Sequence, residues 1–360
     1  MDNSPNQISA SPNYKATVLH VSEAMGGGVH TAVSSWARVT PEIRHIVLAK
    51  RRAGQSTSEW PTNVWPLEID GSLLDLFKSA KSMYKLTRPS AIHFHSSLAG
   101  LFRFSNFSGS KVIYSPHCFA FERTDVSILK RKIFRRIEIL LANRSTFGAV
   151  SPHEIELARK LSHRAKIELI PNFAEIEFIR KLNTRSRRKI VTVGRICAQK
   201  DPKFFSEVVR NLPSDIEVIW VGDGDLESKK ELESVGVTVT GWVDMKTVHS
   251  VVESAGVYVH TAAWEGSPLA TLEAVACGTP VISRNVPSMQ SVGYYTPSMN
   301  PTGITESIIR YFDDDSYAEE IRLISENVLE ENSAANAASA LRGLYGFGMN
   351  QATKDYHATS

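Results

Sequence analysis

Glu265 and Glu273, with seven residues between them, bracket the run Gly266-Ser267-Pro268-Leu269-Ala270. Ser267 suits a helix N-cap, and Pro268 suits the first helical position, where a missing N–H is harmless. The free N–H groups of Leu269 and Ala270 then face outward at the positive end of the helix dipole. That is a seat for an anion such as phosphate. A carboxylate accepts paired hydrogen bonds from neighbouring hydroxyls, which is how proteins hold ribose and sugar rings. Two cations, Arg195 and Lys200, sit in Val193-Gly194-Arg195-Ile-Cys-Ala-Gln-Lys200-Asp201. On a loop after a strand, the planar fork of Arg and the point charge of Lys can grip a diphosphate. If the diphosphate is a leaving group, preorganised cations stabilise its developing charge more than the ground state. Carboxylates for hydroxyls on both sides of a phosphate seat describe a nucleotide-sugar site. Taken singly, the same residues also fit a turn with solvated acids and surface cations.

The run from Glu265 to Glu273, followed by Cys277-Gly-Thr-Pro-Val, resembles the donor-site signature of glycosyltransferase family 4. The resemblance extends in order over about residues 15 to 345 and is far more specific in the second half. It implies a retaining, metal-independent transferase of the two-domain GT-B fold. A nucleotide-diphosphate sugar is the co-substrate, with no other cofactor. His117, Arg195, Lys200 and Glu265 are then the catalytic residues, and Glu273 holds the ribose. Gly266, Ser267, Pro268, Leu269 and Ala270 bind the nucleotide sugar, and Val243, Asp244 and Met245, after Gly241-Trp, are candidate contacts to the base. Gly27 and Gly28 border the cleft on the other side. His30, just inside the following helix, and His93 and His95 of His93-Phe-His95-Ser96-Ser97 are acceptor-side candidates. Two departures stand out. Tyr114-Ser-Pro-His117-Cys has Cys118 where the family has Gly, and Cys avoids positive φ. After Asn285-Val-Pro, the run Ser-Met-Gln290-Ser-Val-Gly-Tyr-Tyr replaces a Glu and a Gly-rich turn, so this wall of the cleft is expected to be remodelled.

The elements that must position these groups read as α/β, with two Rossmann-like domains facing a central cleft. Residues 1–13 are expected to be a disordered leader without the basic flank and apolar core of a secretory signal. Residues 14–172 alternate short β-branched runs with amphipathic ones, the rhythm of a parallel sheet. Strands are predicted at 17–21, 45–49, 64–67, 91–95, 112–115, 146–150 and 167–170, and helices at 29–39, 73–87, 126–142 and 152–161. Residues 173–188 read as a polar linker, and 189–331 as the donor domain. Its strands are predicted at 190–193, 218–221, 237–240 and 257–260, with helices at 202–211, 245–253, 304–311 and 316–330. By the resemblance, a last helix in 332–346 crosses back to the first domain, and 347–360 is a tail. Two halves on a hinge place a cleft at the carboxyl ends of both sheets.

His93 and His95 share one face of a strand, but a metal would need a third ligand, and none is adjacent in sequence. Gly222-Asp-Gly-Asp225 reads as a turn rather than a metal–diphosphate site, and Asp313-Asp-Asp315 as a link between helices. With 360 residues the chain suits two domains of about 170 residues. A net charge of +3 is too small to imply nucleic acid. Three isolated cysteines argue for a reducing, cytoplasmic setting and against a disulfide framework or zinc site. No apolar run is long enough to span a membrane. The segment 130–136 holds Lys130, Arg131, Lys132, Arg135 and Arg136. Ile133, Phe134, Ile137, Leu140 and Leu141 follow helical spacing and are expected to face the core. This helix reads either as a solvated basic face or as a contact with an anionic membrane surface, on the inner face of the membrane. The implied reaction moves a sugar onto a glycan or lipid-linked acceptor in cell-surface polysaccharide assembly. A nucleotide-sugar epimerase or phosphorylase of the same fold, and a non-catalytic nucleotide-sugar-binding partner, are the competing classes.

Overall fold

A computed structural model of the chain describes residues 14–23, 25–50, 60–175 and 188–346. The expected leader and tail, and most of the expected linker, lie outside the described residues. The first sheet holds β1 (Ala16–Ser22), β2 (Ile43–Lys50), β3 (Val64–Ile69), β4 (Ala91–His95), β5 (Lys111–Ser115), β6 (Thr146–Ala149) and β7 (Lys166–Leu169). All pair in parallel, in the order β3-β2-β1-β4-β5-β6-β7. The second holds β8 (Lys189–Val193), β9 (Glu217–Val221), β10 (Thr238–Val239), β11 (Val257–His260), β12 (Val281–Arg284) and β13 (Tyr295–Ser298). Its order is β10-β9-β8-β11-β12-β13, again parallel. In each sheet the winding reverses beside the first strand, between β1 and β4 and between β8 and β11. Ligand crevices form outside the carboxyl ends of strands at such switch points.

Both faces of each sheet are covered. Helix Gly28–Arg38 buries Trp36 against the first sheet, and helix Pro202–Arg210 buries Phe204, Phe205, Val208 and Val209 against the second. The last helix, Ala334–Tyr345, lies on the first domain, where Leu341, Leu344 and Tyr345 join a core with Val18, Trp36 and Val47. Arg342 Nε donates to Glu42 Oε1 at 2.6 Å.

Several elements were not legible from periodicity. Helix Leu226–Ser234 buries only Leu232, so it leaves no apolar stripe to detect. The edge strand β13 contains Pro297, which sequence patterning counts against a strand but an edge tolerates. Ser96–Gly100 and Pro287–Val292 are short helices where no element was predicted. The second lies where the sequence resemblance led to the expectation of a remodelled wall. It docks on helix Pro152–Leu161, with the His153 N–H donating to Ser291 Oγ at 3.1 Å.

The basic segment forms helix Ile128–Leu141, capped by Ser127, but not with the expected inward face. Ile133 and Leu140 are 46% and 78% exposed, as are Ile128 and Leu129 at 70% and 68%. The one buried side chain is Glu138. Its oxygens accept from buried Arg103 Nη2 at 2.7 Å and from the Tyr114 hydroxyl at 2.8 Å. A polar anchor, flanked by half-buried Phe134, Ile137 and Leu141, has displaced the predicted apolar face and turned Ile133 and Leu140 outward.

Candidate active site

The C-terminal wall of the cleft is made by the loops after β8 and β11. Lys200 Nζ donates to Glu265 Oε1 at 2.5 Å, and Gln199 Nε2 donates to Glu265 Oε2 at 3.2 Å. Burial alone would lower the Lys200 pKa, but the adjacent Glu265 carboxylate outweighs it and the net direction is upward. Lys200 is therefore a cation at neutral pH. The loop holding it is fixed from three sides. Thr261 Oγ1 donates to the Lys200 carbonyl at 3.1 Å, the Ala263 N–H donates to the Gln199 carbonyl at 2.9 Å, and Arg284 pairs with Asp201 at 2.7 Å. Arg195, by contrast, is exposed and makes no ion pair among the described residues. Gly222 and Gly224 let the β9 turn cross this loop, because a Cβ would meet the Gly194 and Ile196 carbonyl oxygens at 2.2 and 2.1 Å. Asp223 pairs with Lys229 at 3.3 Å, and Asp225 caps the next helix, so both carboxylates have structural duties. Buried His260 lies 3.8 Å from Glu265 Oε1, and burial followed by the Lys200 charge holds it well below the usual histidine range.

The anion seat differs from the expectation in one respect. The helix is Leu269–Ala276, with Pro268 rather than Ser267 at the cap and no side chain capping it. Pro268 has ψ 122°, outside the helical region. The Ser267 carbonyl is held by Asn172 Nδ2 at 2.7 Å, across from the first domain. An uncapped start leaves N–H groups for a ligand. Glu273 points from the same helix. Burial, reinforced by Glu175, raises its pKa to about 7. Val243 and Ala270 border one core, while Asp244 caps helix Met245–Glu253 by accepting from the Thr247 N–H at 2.7 Å. That cap bond draws the Asp244 pKa down. Met245 is half exposed.

The two domains meet at Gly266. A Cβ there would lie 3.0 Å from the Cys118 nitrogen and from the His117 carbonyl carbon, so only glycine lets the loops touch. His117 and Cys118 both take positive φ, 51° and 95°. A backbone conformation that favours glycine is thus held by residues that carry a Cβ. Glu154 holds it. Its Oε1 accepts from the Cys118 N–H at 2.6 Å, and its Oε2 accepts from the Val150 N–H at 3.0 Å. Burial raises the Glu154 pKa to about 7, against the pull of those two bonds. Sequence reasoning missed Glu154, whose only local signal was its place in the first turn of helix Pro152–Leu161.

Gly27 and Gly28 are exposed with no atom within 4 Å of a hypothetical Cβ, and Gly27 has φ 53°. His30 does not join them in the cleft. It is buried, with its ring 4.2 Å from that of Trp60. His93 and His95 also depart from the expectation of lining the cleft. Both are fully buried, because Trp36 covers their face of β4, its ring 5.6 Å from His93. They meet His20, His45 and His117 in one cluster. His20, a residue absent from the sequence candidates, adds a third nitrogen donor where sequence adjacency offered none, and nitrogens of His20, His93 and His95 lie within 4.8 Å of one another. All six ring nitrogens of that trio already have hydrogen-bond partners, His93 with Ser115 Oγ at 2.8 Å and Tyr345 Oη at 3.1 Å.

Residues 187–314 match the family described as glycosyl transferases group 1. The chain is 27% identical over 323 residues to an uncharacterized 41.2 kDa protein in the cps region of Klebsiella pneumoniae, covering 82% of this chain and 86% of that one. It is 29% identical over 254 residues to the UDP-Gal:alpha-D-GlcNAc-diphosphoundecaprenol alpha-1,3-galactosyltransferase of Escherichia coli, covering 60% of this chain and 63% of that one. Sucrose-phosphate synthase from Thermosynechococcus elongatus shares the fold at a TM-score of 0.78 and 15% identity, over 92% of this chain and 98% of that one. The common architecture is GT-B.

Proposed function

From the premise that this chain is a glycosyltransferase of the GT-B fold, we propose that it transfers a sugar with retention from a nucleotide-diphosphate sugar. The acceptor is the hydroxyl of a growing, lipid-linked glycan in cell-surface polysaccharide assembly. The observation that carries this reading is the uncapped start of helix Leu269–Ala276 beside the Lys200–Glu265 pair. The helix N–H groups, Arg195 and Lys200 hold the diphosphate, Glu273 holds the ribose, and Glu265 takes hydroxyls of the transferred sugar. Val243, Asp244 and Met245 lie against the base, and Gly27 and Gly28 allow close approach from the other wall. As the bond from the anomeric carbon to the phosphate oxygen breaks, the acceptor oxygen bonds to that carbon on the same face. Its proton passes to the departing phosphate. Negative charge grows on the diphosphate during this step, where the cations stabilise it most. In this proposal Arg195, Lys200 and the helix N–H groups take the part that a metal ion would otherwise play at the diphosphate.

The acceptor's setting is supported by helix Ile128–Leu141. Among the described residues no helix is long and apolar enough to cross a membrane. This one instead exposes Leu129, Ile133 and Leu140 among Lys130, Lys132, Arg135 and Arg136. Mixed apolar and cationic exposure suits the headgroup region of an anionic membrane, here its inner face. The relative from Escherichia coli is named for a UDP-galactose donor and a diphosphoundecaprenol acceptor, which makes uridine-diphosphate sugars the first donors to test. Thermal-shift screening of nucleotide sugars, followed by transfer to a lipid-diphosphate glycan and NMR of the product anomer, tests the proposal. An anomer matching that of the donor is expected. Inversion at that carbon overturns retention, and the absence of both stabilisation and transfer overturns the donor class.

A further inference from the structure

We propose that Thr40, His45, His20 and His95 form a tautomer relay that keeps the proton of His117 on Nε2 and its lone pair on Nδ1, so that His117 meets the bound sugar as a hydrogen-bond acceptor. The relay crosses the sheet diagonally. In the parallel register His45 pairs with Val18, His20 with His93, and His95 with Ser22. Each step from β2 to β1 to β4 therefore moves one strand over and two residues toward the carboxyl ends. His117, just past β5, is the half-buried outer end.

Proton positions follow from the buried end. The Thr40 hydroxyl donates to the Trp36 carbonyl at 2.6 Å, an oxygen that can only accept. A hydroxyl has one proton, so Thr40 Oγ1 must accept from His45 Nε2, 3.0 Å away. A neutral imidazole has one N–H, which makes His45 Nδ1 an acceptor for His20 Nε2 at 2.9 Å. His20 Nδ1 then accepts from His95 Nε2 at 2.9 Å, and His95 Nδ1 accepts from His117 Nε2 at 3.0 Å. What is left over at the cleft end is the lone pair on His117 Nδ1. The deduction needs neutral rings, and burial supplies that condition. It holds His20 and His95 well below the usual histidine range and His45 and His117 at about 4.

The anchor is itself held in place. Asn63 Nδ2 shares its two protons among the carbonyls of Ala37, Thr40 and Ile43, at 2.9, 3.2 and 3.0 Å, stapling the turn that carries Thr40. His93 does not compete with the relay, although its ring lies 4.2 Å from that of His95. Ser115 Oγ donates to the Gly148 carbonyl at 2.6 Å and so accepts from His93 Nε2, while the Tyr345 hydroxyl donates to His93 Nδ1. Trp36 covers the path, its ring 5.7 Å from that of His117. Thr40, His45, His20 and His95 are thus positioning residues. The assignment of a sugar hydroxyl as donor to Nδ1 rests on the proposed function. The tautomer does not.

The test is long-range proton–nitrogen NMR on the uniformly 15N-labelled full chain without ligand, with each histidine assigned by single substitution. The expected spectrum shows protonated Nε2 and bare Nδ1 for His45, His20, His95 and His117 alike. Thr40→Val removes the anchor, and protonation of His117 Nδ1 is then expected. Thr40→Ser restores the original pattern. Transfer by Thr40→Val should fall roughly fivefold, as for one misdirected neutral hydrogen bond, and recover in Thr40→Ser. A protonated Nδ1 on His117 in the unsubstituted protein overturns the relay, as do unchanged His117 nitrogens in Thr40→Val. Should Thr40→Val not fold, the unsubstituted and Thr40→Ser spectra still decide. Should no donor be turned over at all, the nitrogen spectra still judge the relay separately from the enzyme.

Discussion

The two walls of the cleft use opposite chemistry. On the C-terminal wall, the Lys200 ammonium pairs with Glu265, Arg195 stands exposed, and an uncapped helix start adds its dipole. On the N-terminal side, His117 and the four buried histidines behind it are neutral, and the buried Glu154 carboxylate is occupied with backbone N–H groups. The N-terminal domain has cations in plenty, but five of them lie on helix Ile128–Leu141, and four of those are exposed to solvent. A charged wall grips whatever changes charge during the reaction. A neutral, rigid wall can orient hydroxyls without competing for the diphosphate. Burial keeps the His117 ring neutral beside the Gly266 contact.

The sharpest way to break this contrast is to remove the charged wall. Arg195→Ala and Lys200→Ala should each lower kcat by about 10²-fold or more, as for lost transition-state donors in general. Near-normal turnover in both purified variants would leave the diphosphate grip without its residues. Lys200→Ala should also weaken folding, since it strands a buried Glu265 carboxylate.

The outward cations of the neutral domain come next. Lys132→Ser, Arg135→Ser and Arg136→Ser together should weaken binding to anionic vesicles by roughly 10²-fold, at about 1 kcal/mol per cation. Raising salt should mimic the triple variant, because the attraction fades within a Debye length. Leu129→Ser, Ile133→Ser and Leu140→Ser should weaken binding as well, by an increment that does not change with salt, while the remaining binding stays salt-sensitive. Arg131 is a poorer probe, since its Nε donates to the Phe121 carbonyl at 2.9 Å. Equal sedimentation of all three proteins with anionic vesicles at low salt would reduce this helix to a solvated face.

A tenfold effect is expected where the charged wall is itself titrating. The Glu273 pKa of about 7 lies above the ordinary carboxylate value, so the free protein binds a proton there at acidic pH. Ribose hydroxyls need the ionised form as acceptor. Nucleotide affinity should therefore rise from about pH 6 to about pH 8, by up to roughly tenfold. Isothermal titration with nucleotide diphosphate measures it, and Glu273→Gln should flatten the profile. Glu265→Gln should leave that profile alone and weaken only the full sugar donor. A swapped pattern would exchange the two assignments.

The smallest effect concerns the loop where the walls touch. Cys118 holds φ 95°, a conformation that strains any residue with a Cβ. Cys118→Gly should stabilise the chain by up to about 1 kcal/mol, the strain relieved less the added freedom of the unfolded chain. Chemical denaturation reads this out. A loss of stability would mean that the Cys118 side chain contributes packing that outweighs the strain.

What the sequence determined by itself was whatever rests on local spacing. The alternation of strands and helices, the Pro–Gly punctuation and the Glu265 to Glu273 signature are all contained within short windows, where periodicity and capping chemistry act. Only the tertiary structure decided which faces those elements present. His20, His45 and His95 are 25 and 75 residues apart in sequence from one end of each hydrogen bond to the other. Parallel register, which needs long crossovers, is what brings them into one line. Periodicity predicted a helix over the basic segment, but not that buried Arg103 and Tyr114 would claim Glu138 and turn Ile133 and Leu140 outward. Likewise no local rule foretold that Cys118 would keep a glycine's conformation. Glu154, 36 residues onward, holds it there, because a buried carboxylate takes the backbone N–H that the turn leaves free.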